Sequence, residues 1–403
     1  MLFFMFAYKE KSCFKKKTSS SFVLFFLFLA VFSFLSCSGD GESSSSENTK
    51  IQEKLVIVFH LPDGLGDNSY NDILTYGIHK AAIENNLLVY DVSPTDWEDS
   101  VAKIKKVFAS YREIIGAEEN AEVSVLFVFA SEGYLDILRI KEEFGEYLSS
   151  SENPFTYLLF ESEEITPDYY SSEDSDLSVL STVYIPLYGA SYLAGKVSET
   201  LLSEKENPRV TALLANDYMQ FEIDGLEGFA QGYGKSYDKI YNYTGATEED
   251  VATMKNKDFV AKTINSSEDI HGFNSEETAY KIAYNDSFNP FDLYFPICGG
   301  SIHGLLRYNR EHGADSFYTA GMDSDMSIYS SQVPFSVVRH VDKAAEFCIK
   351  QWITDGKIPH YQRLGLEEGY TELVISKGYE NLSQTAEENL SEAIEMEKKY
   401  YEN

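Results

Sequence analysis

The chain has 403 residues, of which 43% are hydrophobic and 14% aromatic, and this composition excludes a wholly disordered protein. Its length favours two lobes of roughly 130 to 180 residues each over one ordinary domain. The formal net charge is −32, and it is −36 without residues 1–36, which carry five Lys and one Glu. Because so acidic a surface repels phosphate groups, we expect no nucleic-acid partner.

Residues 1–36 have the pattern of an export signal. Five Lys residues lie between positions 9 and 17, and an uncharged, largely apolar run of 15 residues follows from Phe22 to Ser36. A membrane-spanning helix needs about 20 such residues, so the run fits a secretory signal better. Ser36 before Cys37 resembles a bacterial lipobox, which implies cleavage before Cys37 and a diacylglycerol on its sulfur. The alternative is an uncleaved anchor helix. Either reading places most of the protein outside the cytoplasm.

Residues 37–51 are mostly small and polar, which predicts a flexible tether. Strand and helix patterns alternate after this segment. The predicted strands are, in chain order, Leu55–Phe59, Leu87–Val92, Val123–Ala130, Phe155–Phe160, Leu177–Pro186, Val210–Ala215, Lys239–Tyr243, Leu293–Ile297, Phe317–Gly321, Phe335–Val338 and Glu372–Ile375. The predicted helices are Tyr70–Glu84, Trp97–Ile115, Tyr134–Phe144, Gly189–Leu202, Phe221–Tyr233, Glu276–Asn285, Ile302–His312, Lys343–Thr354 and residues 380–400. The stretch from Tyr243 to Ile270 is polar and predicts no element.

This alternation predicts an α/β protein with two doubly wound parallel sheets and helices on both faces. Ligands of such sheets bind beyond the carboxyl ends of the strands, so the loops after the strands are the candidate binding loops. The acidic segment Glu161–Glu164 follows one of these strands, and its charge indicates a solvated surface.

The segment Asp63–Asn71 follows the first predicted strand and enters the first helix. It lacks the third glycine of a dinucleotide fingerprint, and two carboxylates would face a pyrophosphate, so we reject that interpretation. Tyr70 offers a flat face beside the amide of Asn71, an arrangement that suits a nucleobase. The alternative is a plain turn with a capped helix.

Two later loops carry further candidates. Asp323 follows a predicted strand and can accept two hydroxyl protons from a vicinal diol such as ribose, although loops often hold such a residue for turn formation alone. Gly300, in Cys298–Gly304, allows close backbone approach at a helix start. Ser301 in that segment does not meet the spacing of a hydrolase nucleophile, so we expect a protein without enzyme activity.

We expect neither a metal nor a cofactor, because no Cys/His cluster has zinc spacing. Cys298 and Cys348 fit two buried free thiols better than a disulfide.

Five segments, taken in order, resemble the basic membrane protein (Bmp) family of substrate-binding lipoproteins, which includes the purine nucleoside receptors of ABC transporters. They are Asp63–Asn71, Ser191–Gly195, Gly228–Gly232, Gly321–Met326 and Ser336–Arg339. The resemblance implies a type I periplasmic-binding-protein fold with three crossings between lobes, near residues 183, 336 and 360. The first lobe would comprise residues 52–183 and 337–360, the second 184–336 and 361–378, and a C-terminal helix 379–403.

The resemblance also implies roles for individual residues. Tyr70 would stack on the purine, Asn71 would read its edge, and Asp323 would hold the ribose hydroxyls. Asp63 would lie near the base. Phe273 is the choice for a second stacking ring, with Tyr243 as its competitor, and Gly300 completes the predicted site. Arg339 stands where the family has a Lys, and Met326 replaces a Gln.

The function implied is that of a monomeric, lipid-anchored protein of the bacterial cell envelope. It would capture a purine nucleoside between its lobes and deliver it to an ABC transporter permease. Two alternatives stay open: the same fold binding a sugar or another signal molecule, and a surface lipoprotein whose cleft has decayed.

Overall fold

The computed structural model describes residues 54–60, 65–66, 69–116, 124–130, 140, 143–144, 155–162, 180–264, 270–313 and 317–402. The predicted signal segment, the tether, Cys37 and Asp63 lie outside these residues, as does most of the predicted helix Tyr134–Phe144.

A six-stranded parallel sheet takes five of its strands from the first half of the chain. Its strands are β1 (Lys54–Phe59), β2 (Leu88–Val92), β3 (Ser124–Phe129), β4 (Phe155–Phe160), β5 (Leu180–Tyr184) and a late strand, β13 (Tyr361–Arg363). Their order across the sheet is β13-β5-β4-β3-β1-β2. The helices α1 (Tyr70–Glu84) and α2 (Trp97–Ile115) connect its first three strands.

Both faces of this sheet are covered, which explains the continuous apolar runs of its strands. The odd-numbered residues of β1, such as Ile57, pack in one core with Ile104 and Phe108 of α2. The even-numbered residues, such as Val58, pack in another with Ile78 of α1. The predicted double winding is therefore confirmed for this sheet.

A second parallel sheet of five strands has the order β10-β9-β6-β8-β7. Its strands are β6 (Val210–Leu214), β7 (Ile240–Asn242), β8 (Phe259–Thr263), β9 (Leu293–Ile297) and β10 (Tyr318–Thr319). The helices of this region are α3 (Tyr188–Leu201), α4 (Gln220–Gly232), α5 (Glu248–Met254), α6 (Glu276–Asp286) and α7 (Ile302–His312).

The prediction that residues 243–270 form no element was wrong. Strand β8 lies in the middle of the second sheet, and all five of its residues are buried. Its apolar pattern is interrupted by Lys262, whose ammonium group is 2.7 Å from a carboxylate oxygen of Asp286. Helix α5 has no buried residue and starts at a capping box formed by Thr247 and Asp250, so its sequence lacks an apolar stripe.

A third sheet has three strands and is mixed, with one parallel and one antiparallel pair. It contains β11 (Gly321–Asp323), β12 (Phe335–Arg339) and β14 (Thr371–Ile375), with β12 parallel to β11 and antiparallel to β14. The single strand predicted at Phe317–Gly321 is therefore two strands, which belong to different sheets. Helix α8 (Val341–Asp355) then packs on α1. The predicted second lobe includes residues 361–378, whereas β13 pairs with β5 in the first sheet.

The C-terminal helix, α9 (Ser383–Glu402), packs on α3 and bonds to the segments that connect the sheets. Glu397 is only 6% exposed, and its two carboxylate oxygens accept from the backbone N–H groups of Gly189 (2.8 Å) and Leu366 (2.9 Å). Burial raises the pKa of Glu397 to about 7, although both N–H donors oppose that rise. This helix thus fastens residues after β5 to residues after β13. Among the described residues, we find no helix with the length and apolarity needed to span a bilayer.

Glycines allow α3 and α4 to touch backbone to backbone. A Cβ atom on Gly195 would lie 2.4 Å from the carbonyl oxygen of Phe229, and one on Gly232 would lie 2.0 Å from that of Tyr192. Both glycines belong to segments that carry the family resemblance. Their structural role is therefore close helix packing.

Substitution of Gly232 by Ala is expected to lower the free energy of unfolding by roughly 3 kcal/mol, because the new methyl group meets backbone that cannot rotate away. Urea unfolding followed by circular dichroism measures this loss. The control is Gly245→Ala, where the added Cβ would meet only the side chain of Asn242 at 3.2 Å. Equal stability of the two variants would refute the packing role of Gly232.

Candidate functional site

Arg339, at the end of β12, lies at the centre of a buried cluster of charged groups. Its Nε and Nη2 atoms donate to the same oxygen of Asp323, over 2.7 and 2.6 Å, and its Nη1 donates to Glu161 over 3.0 Å. The side chains of Arg339, Asp323 and Glu161 are 4%, 2% and 5% exposed. Since Glu161 follows β4 of the first sheet and Asp323 ends β11, the cluster ties the first sheet to the third.

Both carboxylates are presented by unusual backbone. Asp323 has a φ of 67° and Glu161 a φ of 56°, in the left-handed region that residues other than glycine rarely adopt. Such conformations cost on the order of 1 kcal/mol or more and concentrate at ligand sites. The prediction that Glu161 belongs to a solvated acidic surface was wrong, because Arg339 neutralises it in the interior.

Two aromatic rings lie against the guanidinium group, and a third stacks on one of them. The Cζ atom of Arg339 is 4.8 Å from the centre of the Tyr70 ring and 5.2 Å from that of Phe221. Phe221 stacks on Phe273 with 5.9 Å between ring centres and 25° between planes. Tyr70 thus faces a cation of the protein itself, and Phe221, in the first turn of α4, is a ring that the sequence analysis missed. The other candidate ring, Tyr243, accepts a hydrogen bond from the amide of Asn285.

Asp323 also contacts the start of α1. The hydroxyl of Ser69 donates to the second carboxylate oxygen of Asp323 over 2.5 Å. Asn71, the second residue of the same helix, accepts at its main-chain carbonyl from the hydroxyl of Thr75 (2.7 Å). The structure therefore brings Tyr70, Asp323 and Arg339 together as part of one cluster, with Asn71 adjacent in sequence.

The glycine segment before α7 packs on Phe273. Gly299 has a φ of 49°, and a Cβ atom there would lie 3.2 Å from that ring, while Gly300, the predicted site residue, is the next residue in the chain. Ser301 donates to the carbonyl of Gly272 (2.7 Å) and accepts from the backbone N–H of Ser275 (2.6 Å). Its hydroxyl is therefore used to hold two loops together.

The hydroxyl of Tyr70 and the carboxyl group of Glu161 are buried beside each other. They interact through a side-chain hydrogen bond, which lowers the pKa of Glu161 and raises that of Tyr70. Burial raises the pKa of Glu161 to about 7, against the opposing effect of Arg339, and burial next to Glu161 raises the pKa of Tyr70 well above its usual range.

The side chains of Asn216 and Glu222 are buried together at the carboxyl end of β6. Burial raises the pKa of Glu222 well above its usual range, and hydrogen bonds from the backbone of Asn216 and Ala215 and from the Asn216 side chain oppose that rise. The sequence analysis missed both residues, because a single Asn and a single Glu between a strand and a helix have no distinctive pattern.

Cys298 and Cys348 are buried free thiols, as predicted. Burial raises the pKa of Cys298 well above its usual range, so its thiol is not an activated nucleophile. Within the described ranges, no three His, Cys, Asp or Glu side chains are grouped so as to hold a metal ion.

Comparison with known proteins identifies the fold. No family model matches the chain, and no curated protein matches it. Its structure is similar to an ABC transporter solute-binding protein from Aeropyrum pernix K1, with a TM-score of 0.51, 16% identity and coverage of 84% of this chain and 86% of that one. It is also similar to a periplasmic solute-binding protein from Actinobacillus succinogenes 130z with bound D-allose, with a TM-score of 0.51, 12% identity and coverage of 82% and 100%.

A third similar structure is a transcriptional activator of the comK gene from Bacillus halodurans, with a TM-score of 0.55, 12% identity and coverage of 84% and 96%. The chain has the predicted α/β type I periplasmic-binding-protein fold, with two parallel-sheet lobes. At such low identities the similarity establishes the fold alone, and the same fold serves proteins of different function.

Proposed function

We propose that the protein is an extracytoplasmic solute-binding protein that encloses a small, uncharged, hydroxyl-bearing ligand between its two parallel sheets. The observation that carries this proposal is the cluster around Arg339, to which the first sheet, the third sheet and helix α4 all contribute. A ligand that contacts such a cluster stabilises the arrangement in which the lobes are close together.

The chemistry of the cluster favours a neutral ligand with hydrogen-bond donors. Glu161 and Asp323 supply two carboxyl groups against one guanidinium group, which disfavours a phosphate or carboxylate. A hydrogen-bond donor of the ligand would be accepted by the carboxyl group of Glu161, beside the Tyr70 hydroxyl. Tyr70, Phe221 and Phe273 supply apolar faces, and ring stacking contributes about 1–3 kcal/mol per base. We therefore favour a purine nucleoside, in keeping with the resemblance to the Bmp family.

A sugar is the second candidate. The similar protein from Actinobacillus succinogenes holds D-allose, and hydroxyl groups suit the same carboxylates. Under either reading, Cys37 would carry a lipid anchor in the cell envelope, and an ABC transporter permease would receive the ligand. We propose binding without catalysis, because Ser301 and Cys298 are both committed to the interior.

Calorimetric titration of the purified protein with adenosine, guanosine, inosine, uridine, D-allose and L-arabinose tests the proposal. We expect a nucleoside to bind, and Asp323→Asn to weaken that binding at least tenfold, because Asp323 orients Arg339 and accepts from Ser69. The matched control is Asp325→Asn, two residues further on, where the exposed carboxylate caps a short turn. Binding of sugars alone would contradict the nucleoside reading, and binding of neither class would contradict both.

A further inference from the structure

The end of the C-terminal helix α9 meets a buried carboxylate on α4. Asp224 is 0% exposed, and the hydroxyl groups of Tyr184, Tyr400 and Tyr401 all donate to it, the bond from Tyr400 over 3.0 Å. The side-chain amide of Gln220, one turn earlier in α4, donates to it over 2.7 Å. Burial raises the pKa of Asp224, and these four donors oppose that rise. A buried carboxylate is costly unless donors surround it, so the tyrosine hydroxyls help to hold Asp224 in the interior.

The three tyrosines come from different parts of the fold. Tyr184 ends β5 of the first sheet, whereas Tyr400 and Tyr401 lie in the last turn of α9. The ring of Tyr401 packs edge-on against that of Tyr184, with 5.9 Å between ring centres. The centre of the Tyr401 ring is also 4.3 Å from the Cζ atom of Arg363, which ends β13. The last turn of α9 thus contacts two strands of the first sheet and, through Asp224, a helix that follows the second sheet's strand β6.

These contacts lie where the chain leaves the first sheet. The backbone N–H of Leu364 donates to the carbonyl of Tyr184 over 2.9 Å, so the segments after β5 and β13 run side by side. Glu397, one turn earlier in α9, accepts from the N–H groups of Gly189 and Leu366, just beyond these segments. Lobes of this kind move apart by rotation at their connecting segments, which form the hinge. Helix α9 therefore bridges positions that such a rotation would separate.

Helix α4 also carries a ring of the candidate site. The ring centre of Phe221, three residues before Asp224, lies 5.2 Å from the Cζ atom of Arg339, and the ring stacks on Phe273. Because hydrogen bonds within one helical turn keep its residues in fixed relation, a displacement of Asp224 moves Phe221 as well. The attachment of α9 and the arrangement of the cluster around Arg339 are therefore coupled.

We propose that Asp224, Tyr400 and Tyr401 form a latch across the hinge, which holds the two parallel sheets close together before any ligand binds. Opening of the lobes requires release of the tyrosine hydroxyls from Asp224. A ligand enters the open form and is enclosed when these bonds form again. The role in ligand entry rests on the proposed function, whereas the latch itself is a property of the ligand-free chain.

The distance between the lobes in the ligand-free protein tests the latch. Spin labels attached to ketone-bearing amino acids at Glu98 of α2 and Lys281 of α6, both exposed, report this distance in the full chain without modifying its cysteines. We expect the double variant Tyr400→Phe, Tyr401→Phe to show a second population with a longer distance, which the wild type lacks. Identical distances in the double variant and the wild type would overturn the proposal.

Two single variants complete this measurement. The matched control is Tyr192→Phe, which removes a hydroxyl of α3 that donates to Glu392 of α9 over 2.7 Å, a bond to which the first sheet contributes nothing. It is expected to keep the wild-type distance. Asp224→Asn retains an acceptor oxygen but loses the charge, and it should show a smaller open population than the double variant. If Tyr192→Phe opens the lobes as far as the double variant does, α9 acts only through general packing, and the latch is refuted.

Stopped-flow mixing with adenosine provides the second measurement. Since the latch stabilises the closed form with and without ligand, its loss is expected to make both association and dissociation about threefold faster or more. A purely structural role of the tyrosines would lower the Tm and leave these rates unchanged, and that result would contradict the proposal. If the wild type binds none of the nucleosides or sugars, the proposed function fails, and the distance measurement still decides whether the latch exists.

Discussion

Replacement of Arg339 by Met is expected to lower the free energy of unfolding by about 3–5 kcal/mol, because it leaves two buried carboxyl groups without their cation. Asp323 and Glu161 are both almost inaccessible to water, and Arg339 donates to each. Burial already raises the pKa of Glu161 to about 7 with the cation present. Removal of the guanidinium therefore favours protonation of that carboxyl or opening of the cluster. Urea unfolding at pH 7 measures the loss.

Two further variants separate the buried cluster from surface charge effects. Arg307 pairs with Glu277 at 2.6 Å where both side chains contact solvent, so Arg307→Met is expected to cost less than about 1 kcal/mol. Arg339→Lys keeps the charge but loses the planar geometry that serves Asp323 and Glu161 together, and it should fall between wild type and Arg339→Met. Equal losses in Arg339→Met and Arg307→Met would contradict the role of the cluster.

The sequence predicted the parts of the fold in which local pattern and burial agree. Strands β1, β6 and β9 consist mostly of apolar residues because they are covered on both faces, and the sequence shows this directly. Strand β8 is equally buried but contains Lys262, whose partner Asp286 lies on α6 and is invisible to a local pattern. The same limit hid the division of residues 317–323 between two sheets, since strand pairing depends on distant segments.

The sequence analysis singled out residues that the structure brings together, but it did not predict the ion pairs among them. Tyr70 and Asp323 were singled out as ligand contacts, and the structure brings both to Arg339. Glu161 was misread because an acidic run after a strand looks solvated until its partner is known. Charge pairing between distant segments is a property of the folded chain.

The ligand-free protein is expected to lose stability as the pH rises from 5 to 8. Glu161 and Glu397 both have a pKa raised to about 7 in the folded state, from an ordinary value of 4.5, because burial disfavours the charged form. Between these values the folded state binds more protons than the unfolded state. The stabilising contribution of these two groups is therefore fully present below pH 4.5 and is lost as the pH rises through 7. At about 1.4 kcal/mol per pKa unit, each group accounts for a loss of roughly 2–3 kcal/mol.

Variants of helix α9 isolate this effect from the general repulsion within an acidic protein, which also grows with pH. Glu397→Gln cannot ionise, so its free energy of unfolding should decline less between pH 5 and pH 8 than that of the wild type, whatever the variant loses in absolute stability. Glu388→Gln removes the same charge from an exposed position on that helix, where the carboxylate accepts only from Gln384, and should keep the wild-type slope. Urea unfolding at four pH values gives the slopes. If Glu397→Gln and Glu388→Gln have the same slope, burial of the ionised Glu397 carboxylate does not lower the stability, and the attachment of α9 to the connecting segments is independent of pH.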